Sequence, residues 1–421
     1  MPVMRIGATA VTLLVAVGCG APDPPPSTGG TDTPGGPCGR GFVVVRNDDG
    51  FQSTSVSLVD PEGAVLSARL ISSGTASAGL SAALSGDVVV PSERRDGDEL
   101  LLIDRFPAAV LTWLEVATGD VRAQLDVRTG FLANPQDALR VGDDLWVSRY
   151  GSNRDPGREP FDAGGDVLVV DPAGPSVRDR IDLSPAMADA PGFLPRSNRL
   201  LRLGDDGPVL ALLGAYDQSF SDAAPSRLAI LDPTGRAIVG RHVLPDLFNC
   251  NALVALDNTR VAVGCTGLFA NFTSVIADLS QSGIAVLRYQ PDTATFVEER
   301  RWTGDDLGGP IGQNLEWAPP LLLTVTYGET NDTGDEVRPD RFITLDPETS
   351  EVTMIRQGRP FSLGDVRCAL APGEACGGCL LTDAAAGVLR RYTVLGPTLD
   401  VAETITVDDG IGLPPRYLGR F

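Results

Sequence analysis

The residue types present limit the chemistry of this chain before any fold is considered. There is one histidine, His242, and all 34 basic residues are arginine, with no lysine anywhere. Schiff-base chemistry, a P-loop lysine and a Ser-Lys dyad are therefore excluded, and a Ser-His-Asp triad or a His-rich metal site would have to be built around His242 alone. His242 itself follows Arg241 on a segment that reads as an outermost strand, which places it at the surface. The other groups with ligand chemistry are side-chain oxygens. Asp137, Asn198, Asn251 and Asn314 fall at one equivalent position in four consecutive repeats, followed by Arg367 and Arg416 in the next two. A partial ring of oxygens at the rim of a central channel suits a hard cation such as calcium. Asn and Asp also cap strand starts by bonding to nearby backbone. Because only Asp137 is charged and the two arginines would repel a cation, capping is the expected role, no cofactor is expected, and calcium is the alternative. Acidic loops at Asn47 (NDDG) and Asn331 (NDTGDE) lack the spacing of a full calcium-binding loop and read as solvated turns.

Seven cysteines complete the inventory. Setting Cys19 aside leaves an even number, which suits disulfides in an oxidising compartment. Cys250 and Cys265 flank a predicted hairpin turning at Asp257-Asn258, so they stand opposite one another, close enough to bridge. Cys368 faces the Cys376-Gly-Gly-Cys379 pair; either partner fits it, leaving the other for Cys38. A redox or zinc role for the Cys-x-x-Cys is disfavoured because no helix follows it and there is no second ligand pair.

The elements that position these residues begin with an address. Residues 1–18 carry Arg5 and then a short apolar run, Ile6 to Val17, too short to span a bilayer and suited to a secretory h-region. The run ends in Ala16-Val17-Gly18-Cys19, which resembles the bacterial lipobox; the resemblance implies cleavage before Cys19, acylation of its thiol and a membrane anchor on an exported lipoprotein. Gly20 stands where an Asp would signal inner-membrane retention, favouring the outer membrane of the cell envelope. Residues 19–40 are Pro- and Gly-rich, have almost nothing to bury and form a flexible tether. The folded unit is 41–421.

That unit repeats. A strand, a tight turn often of the form Asp-Pro-x-Gly, and a second strand recur seven times, from SVSLVDPEGAVLSARLI at Ser55 to VLRRYTVLGPTLDVAETITV at Val388. Six further strand pairs lie between these hairpins, as in DALRVGDDLWVSRY, and the missing pair is split between FVVVRND near residue 42 and LPPRYLGRF at the end. Pairing the two ends in one sheet closes a ring and removes both edges. The expected fold is all-β, a seven-bladed β-propeller with four-stranded blades. The wording DLWVSRYG…VLVVDPAG…VRDRIDL is similar to YncE-like and lactonase-like bacterial propeller repeats, a resemblance that implies the fold and leaves function open.

Function is read from the loops. Turns within the first and second halves of each blade are short, whereas loops joining its second and third strands are long at Gly151, Ala215, Thr266 and Gly328. They carry Arg149, Tyr150, Arg154, Phe161, Tyr216, Phe220, Phe269, Phe272 and Tyr327, residue types favoured at protein interfaces. The formal charge of −21 argues against nucleic acid as a partner. The expected function is a monomeric, non-enzymatic lipoprotein whose loop face binds a protein or glycan. The alternative is a metal-dependent, lactonase-like hydrolase using Asp137, Asn198, Asn251 and Asn314.

Overall fold

The computed structural model describes residues 38–94, 97–269, 278–331, 333–371, 374–396, 398–408 and 410–421, with the side chains of 370–377 and 402 outside the description. Cys19, the leader, the segment 20–37 of the tether and Phe272 therefore lie outside the described residues.

Seven four-stranded antiparallel sheets form the blades of a propeller. The first is assembled from both ends of the chain, in the order Val65–Ser72, Thr54–Val59, Phe42–Asn47, Pro415–Arg420. In the other six the chain runs through four strands from the channel outward, as in Pro135–Val141, Asp144–Arg149, Asp166–Asp171 and Ser176–Asp182. Closure is by backbone pairing of Phe42 with Arg420, Val43 with Gly419 and Val44 with Leu418, and the Phe421 carbonyl accepts from the amides of Arg40 and Gly41.

Strand composition follows from where each strand stands. Second strands such as Phe42–Asn47 and Leu321–Thr326 are buried at every residue because a blade on either side covers both faces, so each opens on a run of three or more apolar residues, with polar residues toward the loop end. Outer strands such as Ala237–Val243 alternate between exposed and half-buried. Between the blades lie seven apolar clusters, one per interface. The last of these packs Phe42, Val44 and Leu418 of the closing blade on Leu380, Leu389 and Ile405 of its neighbour. Among the described residues no helix is long and apolar enough to cross a membrane.

The hairpin turns are held by their aspartates. The Asp60 carboxylate accepts the Ala64 amide at 2.7 Å, Asp171 that of Ala173 at 2.9 Å and Asp232 that of Thr234 at 2.9 Å. Gly63 takes the left-handed conformation at φ 102°, but after Asp232 it is Arg236, at φ 51°, that does so. There the Arg236 amide reaches back to the Asp232 carbonyl at 2.9 Å, so the loop closes one residue later and the left-handed position moves past the glycine.

Cys250 pairs with Cys265 and Cys368 with Cys379, each directly across a strand pair, with Cα separations of 3.7 and 3.9 Å. Cys38 is disulfide-bonded as well, and the Cys376 side chain lies outside the described residues.

His242 is not the surface residue the sequence implies. It is half-buried at the interface with the next blade, its ring edge-on to Phe296 at 6.0 Å, and its Nε2 is buried with no partner. Burial holds its pKa below the ordinary 6.5. The unfolded chain thus binds the proton more readily than the native one, so the stability contribution is present above pH 6.5 and is lost as pH falls through the depressed native value. As the chain's only histidine, it gives a clean test by urea unfolding. The fall in stability between neutral pH and mild acid is expected to shrink in His242→Gln, and an identical pH dependence in the variant would contradict this assignment.

Candidate functional site

The first strands line the central channel, and their side chains determine what the channel can do. Asp137 is fully buried, and its carboxylate accepts four hydrogen bonds: from the Ser92 amide (2.9 Å) and hydroxyl (2.6 Å), the Ala138 amide (2.9 Å) and the Leu200 amide (3.0 Å). Leu200 belongs to the following blade, so Asp137 ties two first strands together. Asn198 does the same by donating to the Cys250 carbonyl at 2.9 Å, and Asn314 by donating to the Val366 carbonyl. Asn251 instead donates to the Thr266 hydroxyl within its own blade. The residue of the next blade that continues this series is Asp365, which accepts the Leu418 amide at 2.8 Å, and not Arg367. The two-residue slip arises because this first strand, Leu363–Ala371, runs two residues longer toward its turn than Pro135–Val141, so that counting back from the turn lands on Arg367 while Asp365, like Asp137, is the third residue of its strand. The four proposed metal ligands are thus tied to separate partners, the three asparagines through their amide nitrogens; the Asn314 oxygen accepts from Arg367 and that of Asn251 is buried without a partner, and among the described residues there is no group of three or more His, Cys, Asp or Glu placed to hold an ion. The acidic turns behave likewise. Asp48 accepts the amides of Gln52 and Ser53, and Asn331 those of Thr333 and Asp335.

The long loops and the inter-blade links emerge on one face, as the sequence predicts, but they use several predicted anchors internally. Arg149 is completely buried rather than presented to solvent. It forms a two-pronged ion pair with Asp166 (2.7 Å at both oxygens) and donates to the Thr129 hydroxyl and the Phe161 carbonyl. It ties the base of its loop to the preceding link, and breaking such a buried pair costs about 3–5 kcal/mol.

Tyr150, Tyr216 and Phe220 form one cluster around Arg196, which the sequence reading overlooked. The Arg196 guanidinium lies 4.2 Å from the Phe220 ring and 5.6 Å from that of Tyr150, while these two rings are parallel within 5° and 6.0 Å apart. Arg196 also donates to the carbonyls of Tyr150 and Asp217. Burial raises the Tyr150 hydroxyl to about 12 and pushes that of Tyr216 up as well. Asp217 gathers Ser219, Ser221 and the Asp222 amide, which hold its carboxyl below the usual range, with the Ser219 hydroxyl the main cause. The cluster makes two neighbouring loops rigid and leaves Phe220 partly exposed. Phe269 is exposed, and Tyr327 is half-buried against Phe361 with ring centroids 5.7 Å apart.

At the centre of this face is a pocket of about 230 Å3. Its walls come from four blades: Phe51 and Arg416 of the closing blade, Arg199, Gln313 with Tyr327, and Phe361 with Asp365. The Tyr327 hydroxyl accepts the Gln313 amide at 3.3 Å. Arg105, below, donates to the Tyr417 hydroxyl at 3.1 Å and to Asp87, with its guanidinium over the Tyr417 ring. Tyr327 was singled out in the sequence by its long loop. Phe51 and Phe361 had only a weak signal, an aromatic residue in an otherwise polar turn.

Large exposed apolar side chains mark the same face. Phe51, Phe106, Leu132, Phe220, Phe269, Val337, Phe361 and Ile411 all stand in its loops and links. The other exposed large apolar residues, from Val65 to Val401, lie on third or fourth strands at the outer wall. Among the described residues none lies within the short turns of the opposite face.

No protein-family model matches the chain, and no curated protein matches it. Solved structures do. A protein described as a putative 6-phosphogluconolactonase from Bacteroides fragilis aligns at 13% identity with a TM-score of 0.54, covering 90% of this chain and 97% of the other. A second of the same description, from Bacteroides uniformis, gives 13%, 0.53, 90% and 98%. Kuenenia stuttgartiensis hydrazine synthase gives 13%, 0.51, 89% and 96%. At this identity the likeness establishes the propeller and nothing of the chemistry.

If Asp137 is a blade-to-blade tie, Asp137→Ala strands two buried and two half-buried donors and should cost about 3 kcal/mol or more in urea unfolding, with Asp137→Asn intermediate. Wild-type stability in Asp137→Ala would remove the structural role assigned to it.

Proposed function

We propose that this chain is an exported lipoprotein, held to the cell envelope through Cys19, whose loop face docks a partner protein. The observation that carries the reading is the one-sided distribution of exposed apolar side chains: eight on the loop face and none in the opposite turns among the described residues. Exposed apolar patches rimmed by polar residues mark interaction sites, whereas the remaining exposed apolar residues are spread over the outer wall. Aromatic anchors set among polar loops match the composition of protein interfaces, and loops already tied by Arg149, Arg196 and Asp217 lose little entropy on docking. The bonded pairs Cys250–Cys265 and Cys368–Cys379 fit an oxidising compartment outside the cytosol.

Two experiments test this. Cys19→Ser should move the protein from the membrane fraction to the soluble fraction, and retention in the membrane would contradict the anchor. The triple variant Phe51→Ser, Phe106→Ser and Phe269→Ser should fold normally. It should weaken capture of the partner from envelope extract by about tenfold or more, while Asp143→Arg in a turn of the opposite face captures it like wild type. An unchanged set of captured proteins with the triple variant would overturn the choice of face.

A further inference from the structure

Arginines around the channel mouth have carboxylates as partners, with one exception. Arg105 pairs with Asp87, Arg367 and Arg420 share Glu316, and Arg416 pairs with Asp49. Arg199, on the first strand Ser197–Arg202, reaches across the channel toward two other blades and meets only backbone oxygens, the Asn251 carbonyl at 3.1 Å and the Gln313 carbonyl at 3.5 Å. Among the described residues it has no carboxylate within ion-pair distance.

We propose that the loop-face pocket binds a small monocarboxylate, with the Arg199 guanidinium receiving the carboxylate. A guanidinium stays charged, and that of Arg199, half-buried and with no carboxylate in ion-pair contact, keeps donors for an incoming anion. Burial is the main influence on Arg199 itself, weakening its hold on the proton, while Asp137 and Asp365 act on it from beyond contact distance in the opposite sense. The geometry around it suits an acid with a compact ring. Tyr327 already accepts the Gln313 amide, so its own O–H is left to donate. Phe361 and Tyr327 supply an apolar wall, and the volume of about 230 Å3 is below that of drug-sized ligand cavities and restricts the pocket to a small molecule.

Charge sets the class more narrowly. A planar guanidinium accepts carboxylate and phosphate alike. Asp48, Asp49 and Asp365 also line this pocket, and they oppose a dianion more strongly than a single negative charge. A cationic ligand would meet Arg199 directly. The proposal stands apart from partner docking, because binding is read on the purified chain alone.

Titration calorimetry with D-glucuronate and benzoate as probes, glucose and benzamide as their neutral counterparts, and inorganic phosphate as the other anion decides the matter. At least one carboxylate should bind at millimolar concentration while its neutral counterpart does not. Arg199→Met should weaken that binding by about tenfold or more, and Tyr327→Phe, which keeps the ring packing, should weaken it several-fold. If Arg199→Met does not fold, the Tyr327→Phe variant and the neutral counterparts carry the test. Binding of phosphate in place of both carboxylates, equal binding of the neutral molecules, no binding at all, or unchanged affinity in the folded variants would overturn the proposal.

Discussion

A β-sheet edge is a row of unsatisfied backbone donors and acceptors, and a ring of sheets exists only if its last edge finds a partner. Here that partner is the chain's own C-terminus. Pro415–Arg420 fills the channel-side position of the blade begun by Phe42–Asn47, and Phe421 returns to bond Gly41 from both its amide and its carbonyl. The apolar cluster at this seam draws on both ends of the chain as well, with Leu418 beside Phe42 and Val44. Closure therefore fixes the spacing of all the first strands, and with it the contacts that Asp137, Asn198, Asn314 and Asp365 make from one blade to the next.

The two faces of the ring then diverge for a local reason. Turns that an aspartate can close on its own backbone stay short and polar, as at Asp60, Asp171 and Asp232. Connections between second and third strands have no such limit. In four blades they have grown into loops that need internal support, which is why Arg149 at the base of one loop and Arg196 in the link beside it are buried rather than offered to solvent. Rigid loops surrounding a small pocket, with aromatic side chains left outside, form a surface prepared for recognition.

Strand order, the split blade and the Cys250–Cys265 pair were legible in the sequence because they depend on period, turn residues and cross-strand register. Cys368 had two partners open to it in sequence, and register selects Cys379. What sequence could not supply was direction. Arg149 ends a strand beside a long loop, and only the position of Asp166 on the adjacent strand turns it inward. Arg367 aligns with Asp137 in sequence because the strand Leu363–Ala371 is two residues longer toward its turn, which hides the fact that Asp365 occupies the equivalent place. Arg199 lies one residue beyond Asn198 and carried no signal, since its meaning depends on which groups face it across the channel.

Amide hydrogen exchange followed residue by residue measures closure directly, because exchange in a paired strand requires opening of the blade. The amides of Phe42–Asn47 and of the non-proline residues in Pro415–Arg420 are expected to exchange as slowly as those of Asp144–Arg149 in the middle of an internal blade. Exchange of Pro415–Arg420 at the rate of a frayed terminus, with Phe42–Asn47 exposed beside it, would contradict the closed ring on which the loop face and its pocket depend.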